Sequence, residues 1–239
     1  MAEPKVQLGS LRAAGRARTD VDEGLRAYML KVYNYMGLGL ALSGAVAFYV
    51  STSEALLQAI FGSGLSIVVM LAPLAFILVL SFGINRLSAQ TAQVLYWAFA
   101  ATMGLSLSTV FLAYTPTSIV RVFFISAATF GAMSLYGYTT TRSLMSWGSF
   151  LFMGLIGVFI AFIVNIFLAS AALDFAISVI GVLVFVGLTA YDTQRIRNEY
   201  SAADGAEIAT KKAVFGALSL YLDFINLMMM LLRLFGERR

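Results

Sequence analysis

The chain has 239 residues, of which 60% are apolar and only 12% are charged, with a formal net charge of +4. A soluble domain is usually about 45–50% apolar and about 25% charged, so these values exclude a soluble enzyme, a disordered chain and a nucleic-acid-binding protein. The sequence contains no Cys and no His, which excludes disulfides, cysteine nucleophiles, Ser-His triads and the usual zinc sites. Any bound metal would need oxygen ligands, which favours hard cations such as Ca²⁺.

The first element in the chain is a polar stretch, residues 1–26, which we predict to be a flexible cytoplasmic tail. It carries the basic residues Lys5, Arg12, Arg16, Arg18 and Arg26. It lacks the apolar core of a signal peptide, and its acidic residues argue against a transit peptide. Residues 27–236 are predicted to form a single membrane domain.

Seven apolar segments follow the tail, and most are long enough for a membrane-spanning helix, which needs roughly 20 mostly apolar residues. The predicted spans are 28–50, 60–82, 92–113, 117–138, 146–168, 174–194 and 213–235. The connections between them are mostly short, and the longest is predicted between residues 195 and 212. The sequence therefore predicts an all-α polytopic membrane protein of seven helices, and no predicted loop is long enough for a second domain.

Basic residues occupy alternate loops along this series. The tail and the loops that contain Arg86, Arg142 and Arg195 are basic, whereas the loop at 51–59 has no basic residue. Because cytoplasmic loops carry an excess of Lys and Arg, this alternation places the N-terminus in the cytoplasm. The C-terminus breaks the pattern, since seven full crossings would put the final arginines outside.

The seventh segment is the least apolar, because it contains Asp223, Asn226 and Arg233. Its Leu, Ile and Phe residues favour insertion by about 5 kcal/mol in total, and a central Asp opposes it by about 2.5–3.5 kcal/mol. We therefore expect this helix to insert poorly alone and to lie inside the bundle. The sequence leaves open whether it crosses fully or turns back.

Glycines recur at close spacing in two of the segments. Gly37, Gly39 and Gly44 lie in the first segment, and Gly154 and Gly157 lie in the fifth. Small residues let membrane helices approach closely, so these glycines predict helix packing.

Two of the twelve acidic residues are predicted to lie at membrane depth, Asp192 in segment six and Asp223 in segment seven. Ionisable residues inside a membrane are rare and indicate a functional site. Asp223 is about 15 Å from the predicted start of its helix, at 1.5 Å per residue, and Asp192 is nearer the surface. The two can meet if helix seven enters the membrane later, or if water penetrates from the cytoplasmic side.

If the two carboxyl groups meet, they cannot both ionise cheaply in a low dielectric. They would share a proton in a bond between the helices, and the doubly ionised pair would repel or recruit a cation. Asp192 and Asp223 are therefore a candidate pH-sensing pair and a candidate transient Ca²⁺ site. The alternative is that Asp192 anchors a helix end beside Arg195, and that Asp223 is neutral or paired with Arg233.

Several motifs resemble the bacterial branch of the Bax inhibitor-1 family of membrane proteins. They are 191–196 (YDTQRI), 217–226 (ALSLYLDFIN), 231–236 (LLRLFG), 134–141 (SLYGYTTT) and 146–149 (SWGS). The resemblance covers residues 25–236. It implies a fold in which the last helix is central and is wrapped by two three-helix layers.

The resemblance also implies a pH-dependent Ca²⁺ leak, with the family's aspartate pair falling on Asp192 and Asp223. Some members carry an acidic residue on helix two opposite a basic latch, and Arg86 is the candidate gate or latch here. Residues 60–81 contain no acid, so that part of the gate is absent or replaced.

Bacterial members of the family are also associated with a membrane-anchored ATP-dependent protease, whose action on membrane substrates they restrain. Two functions therefore stay open, a pH-gated calcium leak and an interaction protein that modulates proteolysis and membrane stress. The expected partners are the lipid bilayer, Ca²⁺, protons and such a protease, and not nucleic acid. We expect no enzymatic activity, because the sequence has no P-loop and no nucleophile–base set, and we expect no cofactor. A further alternative is a proton-coupled transporter, since a buried carboxylate pair also suits proton coupling.

Overall fold

The structure is a computed structural model that describes the backbone of residues 5–239 and the side chains of residues 23–239. In this range the chain forms α1 (Lys5–Ser51), α2 (Glu54–Phe61), α3 (Leu65–Gly83), α4 (Ala89–Ala113), α5 (Pro116–Thr139), α6 (Gly148–Leu168), α7 (Ala171–Glu199) and α8 (Ala206–Phe235), with a 3₁₀ turn at Met145–Trp147. The predicted all-α class is confirmed. Residues 1–4 of the predicted tail, and the side chains of residues 5–22, lie outside the described part of the chain.

Six helices, α3 to α8, are long and apolar enough to cross a membrane. The bent pair formed by α1 and α2 raises the number to seven if it is one span. The middle of each of the seven predicted segments therefore lies in a helix, namely α1 or one of α3 to α8. The arrangement of two three-helix layers around the last helix stays a prediction.

Two predicted loops are largely helical. The loop at 51–59 contains most of α2, which turns by 100° from α1 and begins where Ser53 accepts a hydrogen bond from the Leu56 amide. The loop predicted at 195–212 shrinks to 200–205, because α7 and α8 extend beyond their apolar stretches. Ion pairs support these charged turns: Lys212 Nζ is 2.6 Å from Asp204 Oδ2.

The bundle has two ends, which we name after one residue each. The Arg86 end comprises the loops 84–88, 140–147 and 200–205, and Lys211 on α8 donates there to the Leu87 carbonyl at 3.2 Å. The Asp174 end comprises residues 114–115, residues 169–170 and the C-terminal residues 236–239. There the backbone around Tyr114 forms an antiparallel bridge with Arg238. Helix α8 therefore runs from one end to the other without turning back.

Helix α8 is the most buried of the long helices. In its most apolar window 61% of the residues are buried, compared with 11% in the corresponding windows of α3 and α6. It contacts α1, α4, α5 and α7. This burial is what the insertion arithmetic predicted for a helix that carries an Asp and an Asn.

Close helix contacts occur at some of the predicted glycines but not at all of them. A Cβ atom on Gly39 would lie 2.3 Å from the Tyr96 hydroxyl of α4, and one on Gly154 would lie 3.0 Å from Val184 of α7. Gly37, Gly44 and Gly157 have no such neighbour within 4 Å. The packing prediction is therefore right for two of the five glycines.

Candidate functional site

The two predicted aspartates meet in the structure. Asp192 on α7 and Asp223 on α8 are both buried, with 9% and 5% of their surfaces exposed. The two carboxyl groups act directly on each other and line one cavity. Two carboxyl groups form a hydrogen bond only if one of them carries a proton. The structure thus brings the predicted pair together, and the shared proton stays a prediction.

Arg195 joins the pair from one side. Its Nη2 atom is 3.3 Å from Asp192 Oδ1 and donates to the Ser219 hydroxyl of α8 at 3.1 Å. The alternative role for Asp192, an anchor beside Arg195, is thus compatible with its contact with Asp223. The alternative pairing of Asp223 with Arg233 is wrong, because Arg233 is paired with Asp174 at 3.1 Å.

Glu199 shares Arg195 with the pair, since Glu199 Oε1 is 3.7 Å from Arg195 Nε. With one shared proton the two aspartates carry one negative charge, and the Arg195 guanidinium divides its positive charge between them and Glu199. Asp223 Oδ2 is buried and has no hydrogen-bond partner among the described groups. Loss of the proton would therefore leave an uncompensated negative charge at a buried position, which is costly unless a cation or water arrives.

Both aspartates line a cavity of about 530 Å³ between α6, α7 and α8. Its polar lining consists of Ser149, Tyr191, Asp192, Arg195, Ser219, Asp223 and Asn226. A cavity of this size with several polar partners is able to hold water. The pair can therefore exchange protons with water in spite of its burial.

A buried glutamine fixes the loop that leads into this cavity. Gln194 is 2% exposed, donates through Nε2 to the Arg142 carbonyl at 2.8 Å, and accepts from the Leu144 amide at 2.7 Å. The loop continues through the 3₁₀ turn to Gly148 and Ser149 in the cavity wall. This role of Gln194 was not predicted, although a neutral amide side chain two residues after an intramembrane Asp was a usable signal.

We expect Gln194→Leu to loosen the loop at 140–147, because two backbone groups lose their partners. Such losses should lower the free energy that keeps the loop closed by about 1–3 kcal/mol. A change of about 1–2 kcal/mol raises the open population of the loop roughly 5- to 30-fold. Trypsin should therefore cleave after Arg142 roughly 5- to 30-fold faster.

The matched control for this test is Gln93→Leu, which removes an amide bonded to Tyr35 in another helix pair. It should leave the cleavage rate after Arg142 unchanged. Equal cleavage rates in Gln194→Leu and the unaltered protein would show that Gln194 does not hold the loop.

The third predicted site residue, Arg86, lies elsewhere. It is exposed, and it is not part of the lining of the aspartate cavity. Among the side chains that the structure describes, Arg195 and not Arg86 is the cation that contacts the pair. The structure thus brings together Asp192 and Asp223 but does not add Arg86 to them.

Comparison with known proteins gives a consistent set of relatives. The family model described as "Inhibitor of apoptosis-promoting Bax1" matches residues 25–239. Protein RP147 of Rickettsia prowazekii is 51% identical over 218 residues, which cover 91% of this chain and 92% of that protein. The inner membrane protein YbhL of Escherichia coli is 47% identical over 219 residues, covering 90% and 94%.

Proposed function

The chain belongs to the Bax inhibitor-1 family, and we propose that it is a pH-sensitive calcium leak channel of the bacterial inner membrane. The observation that carries the proposal is the buried contact between Asp192 and Asp223 at a cavity with a polar lining. Membrane location is supported by the spanning helices, and the inner membrane by the printed name of YbhL.

The proposed pH sensor works through the number of protons on the pair. With one proton, the pair holds α7 and α8 together, and Arg195, which also pairs with Glu199, partly offsets its single negative charge. Without it, two negative charges face each other in a confined space, and they repel or draw in a cation. Changing the proton content thus changes both the contact between two helices and the local affinity for Ca²⁺.

The same pair is the proposed transient calcium site. Ca²⁺ takes about 6–8 oxygen ligands. Within the described residues no group of three or more acidic side chains converges to hold a metal. Asp192 and Asp223 would supply two carboxylates, and water would complete the shell. Such incomplete coordination suits an ion that moves through a channel, since conduction requires that each site bind the ion weakly.

For the orientation we propose that the Arg86 end faces the cytoplasm. This end carries Arg86 and Arg142 in its loops and Lys211 and Lys212 on the first turns of α8, in agreement with the positive-inside rule. The aspartate cavity approaches the same end, because Ser149 and Arg195 are part of its lining. Protons would then reach the sensor from the cytoplasm.

Calcium flux into proteoliposomes between about pH 5 and pH 8 tests the proposal directly. We expect a flux above that of empty liposomes that changes with pH, because the pair changes charge in a range set by its burial. No flux at any pH would overturn the channel proposal. The remaining function would be modulation of a membrane-anchored protease, and its test would be a pull-down with and without residues 1–24.

A further inference from the structure

The aspartate cavity is continued by a second cavity toward the Asp174 end. The second cavity has a volume of about 580 Å³ and is lined by Leu155, Ile156, Val158, Phe159, Phe162, Phe185, Asn226, Met229, Met230 and Arg233. Leu155, Phe185 and Asn226 line both cavities. The two cavities therefore adjoin at these three side chains and together form one cleft beside α8.

Helix α6 is the wall of this cleft on the lipid side. Its principal contacts are with α7 and with the 3₁₀ turn that precedes it, whereas both cavities lie between α6 and α8. Only 11% of its most apolar window is buried. Along the cleft, α6 is thus held mainly by α7 and not by α8.

The polar residues of α8 follow the cleft on one helical face. Asn226 is three residues after Asp223, and Arg233 is seven residues after Asn226, which are the spacings of side chains on one face. At 1.5 Å per residue, Asp223 and Arg233 are about 15 Å apart along the axis. The cleft therefore joins the aspartate pair to the ion pair of Arg233 with Asp174.

We propose that calcium passes between the aspartate pair and the Asp174 end through this cleft, with α6 as its movable wall. The proposal rests on the proposed leak function and specifies its route. At the junction, Asn226 is the single polar side chain among the three that line both cavities. Apolar constrictions of this kind close by losing water, so a small outward shift of α6 would open the path.

The absence of native cysteine makes the route testable with single cysteines. Leu155→Cys and Val158→Cys place thiols in the cleft, at a half-buried and a buried position. Met153→Cys and Ile160→Cys place them on the same helix at exposed positions outside both cavities. The probe is a charged, membrane-impermeant methanethiosulfonate reagent, applied to proteoliposomes at the pH of highest flux.

We expect the cleft thiols to react at least about tenfold faster than the control thiols, because only a hydrated thiolate reacts with the reagent. Modification should also reduce calcium flux in the two cleft variants and leave it unchanged in the two controls. The mass shift of the protein measures labelling independently of flux.

Two outcomes separate the route from the function on which it rests. Suppose that unaltered protein conducts calcium. If complete modification of Val158→Cys leaves the flux intact, the cleft is hydrated but is not the route. If the cleft thiols react no faster than the controls, the cleft is not hydrated and the route is also wrong. If unaltered protein conducts no calcium, the proposed function itself is overturned, whatever the labelling shows.

Discussion

Replacing Asp223 with asparagine is expected to abolish the pH dependence of the calcium flux. The amide of Asp223→Asn has almost the same shape as a protonated carboxyl group and can donate a hydrogen bond to Asp192. It cannot lose that proton between pH 5 and pH 8, so the contact between α7 and α8 persists across the range. The fluxes at the two ends of the range should then be equal within error.

Asp192→Asn is expected to have the same effect on pH dependence but a larger effect on stability. Asp192 is the partner of Arg195, at 3.3 Å, and its neutralisation leaves that guanidinium without its nearest counter-charge. Asp223 makes no such ion pair. Asp223→Asn is therefore the cleaner test of the sensor.

The matched control is Asp174→Asn, which neutralises an aspartate of the same helix as Asp192 at the opposite end of the bundle. Its partners are Arg233 and Arg238. We expect this variant to change the size of the flux but to keep its dependence on pH. Unchanged pH dependence in both Asp192→Asn and Asp223→Asn would sink the sensor hypothesis.

The class of fold and the two aspartates that meet could be predicted from the sequence, whereas the ends of the helices could not. Hydropathy reports the stretch that lipid requires to be apolar, so the middle of each helix was predictable. It does not report helical turns outside that stretch. The turns 195–199 and 206–212 are charged and helical, and they were predicted as loop.

The depth of Asp223 in the membrane stays a prediction, since hydropathy does not report where along α8 the lipid begins. The prediction took Val214, the start of the apolar run, as the start of the helix, whereas α8 begins at Ala206 with charged helical turns. The expected mismatch of several Å between Asp192 and Asp223 was counted from an assumed membrane surface and not from the contact between α7 and α8. In the structure the two side chains meet, and the cavity supplies the access for water that the prediction required.

Tertiary contacts decide the remaining site residues, and a single sequence does not contain them. Arg195 is three residues after Asp192 on one helix, so its contact was predictable from spacing. The role of Gln194 depends on a loop that is about 50 residues away in the chain. Arg86 was proposed from the family resemblance alone, and the described contacts give it no place beside the pair.

Gly137 lies where α5 crosses α7, and its replacement has the other large expected effect. A Cβ atom on Gly137 of α5 would lie 2.3 Å from the carbonyl oxygen of Ala190 on α7, and 3.0 Å from its carbonyl carbon. These are backbone atoms of a helix and cannot rotate away. Gly137→Ala must therefore push α5 and α7 apart next to Asp192.

We expect Gly137→Ala to destabilise the protein by about 3 kcal/mol or more, at or above the upper end of the usual 1–3 kcal/mol for overpacking, because the obstacle is backbone. Thermal unfolding in detergent measures the loss. Gly131→Ala, in the same helix, meets nothing within 4 Å and should be neutral or stabilising by up to about 1 kcal/mol, since Ala favours helix. Equal melting temperatures for the two variants would mean that α5 and α7 are not in contact at Gly137.

Because Ala190 is two residues before Asp192, the displacement caused by Gly137→Ala should also shift the pH dependence of the calcium flux. Gly131→Ala should leave that pH dependence intact.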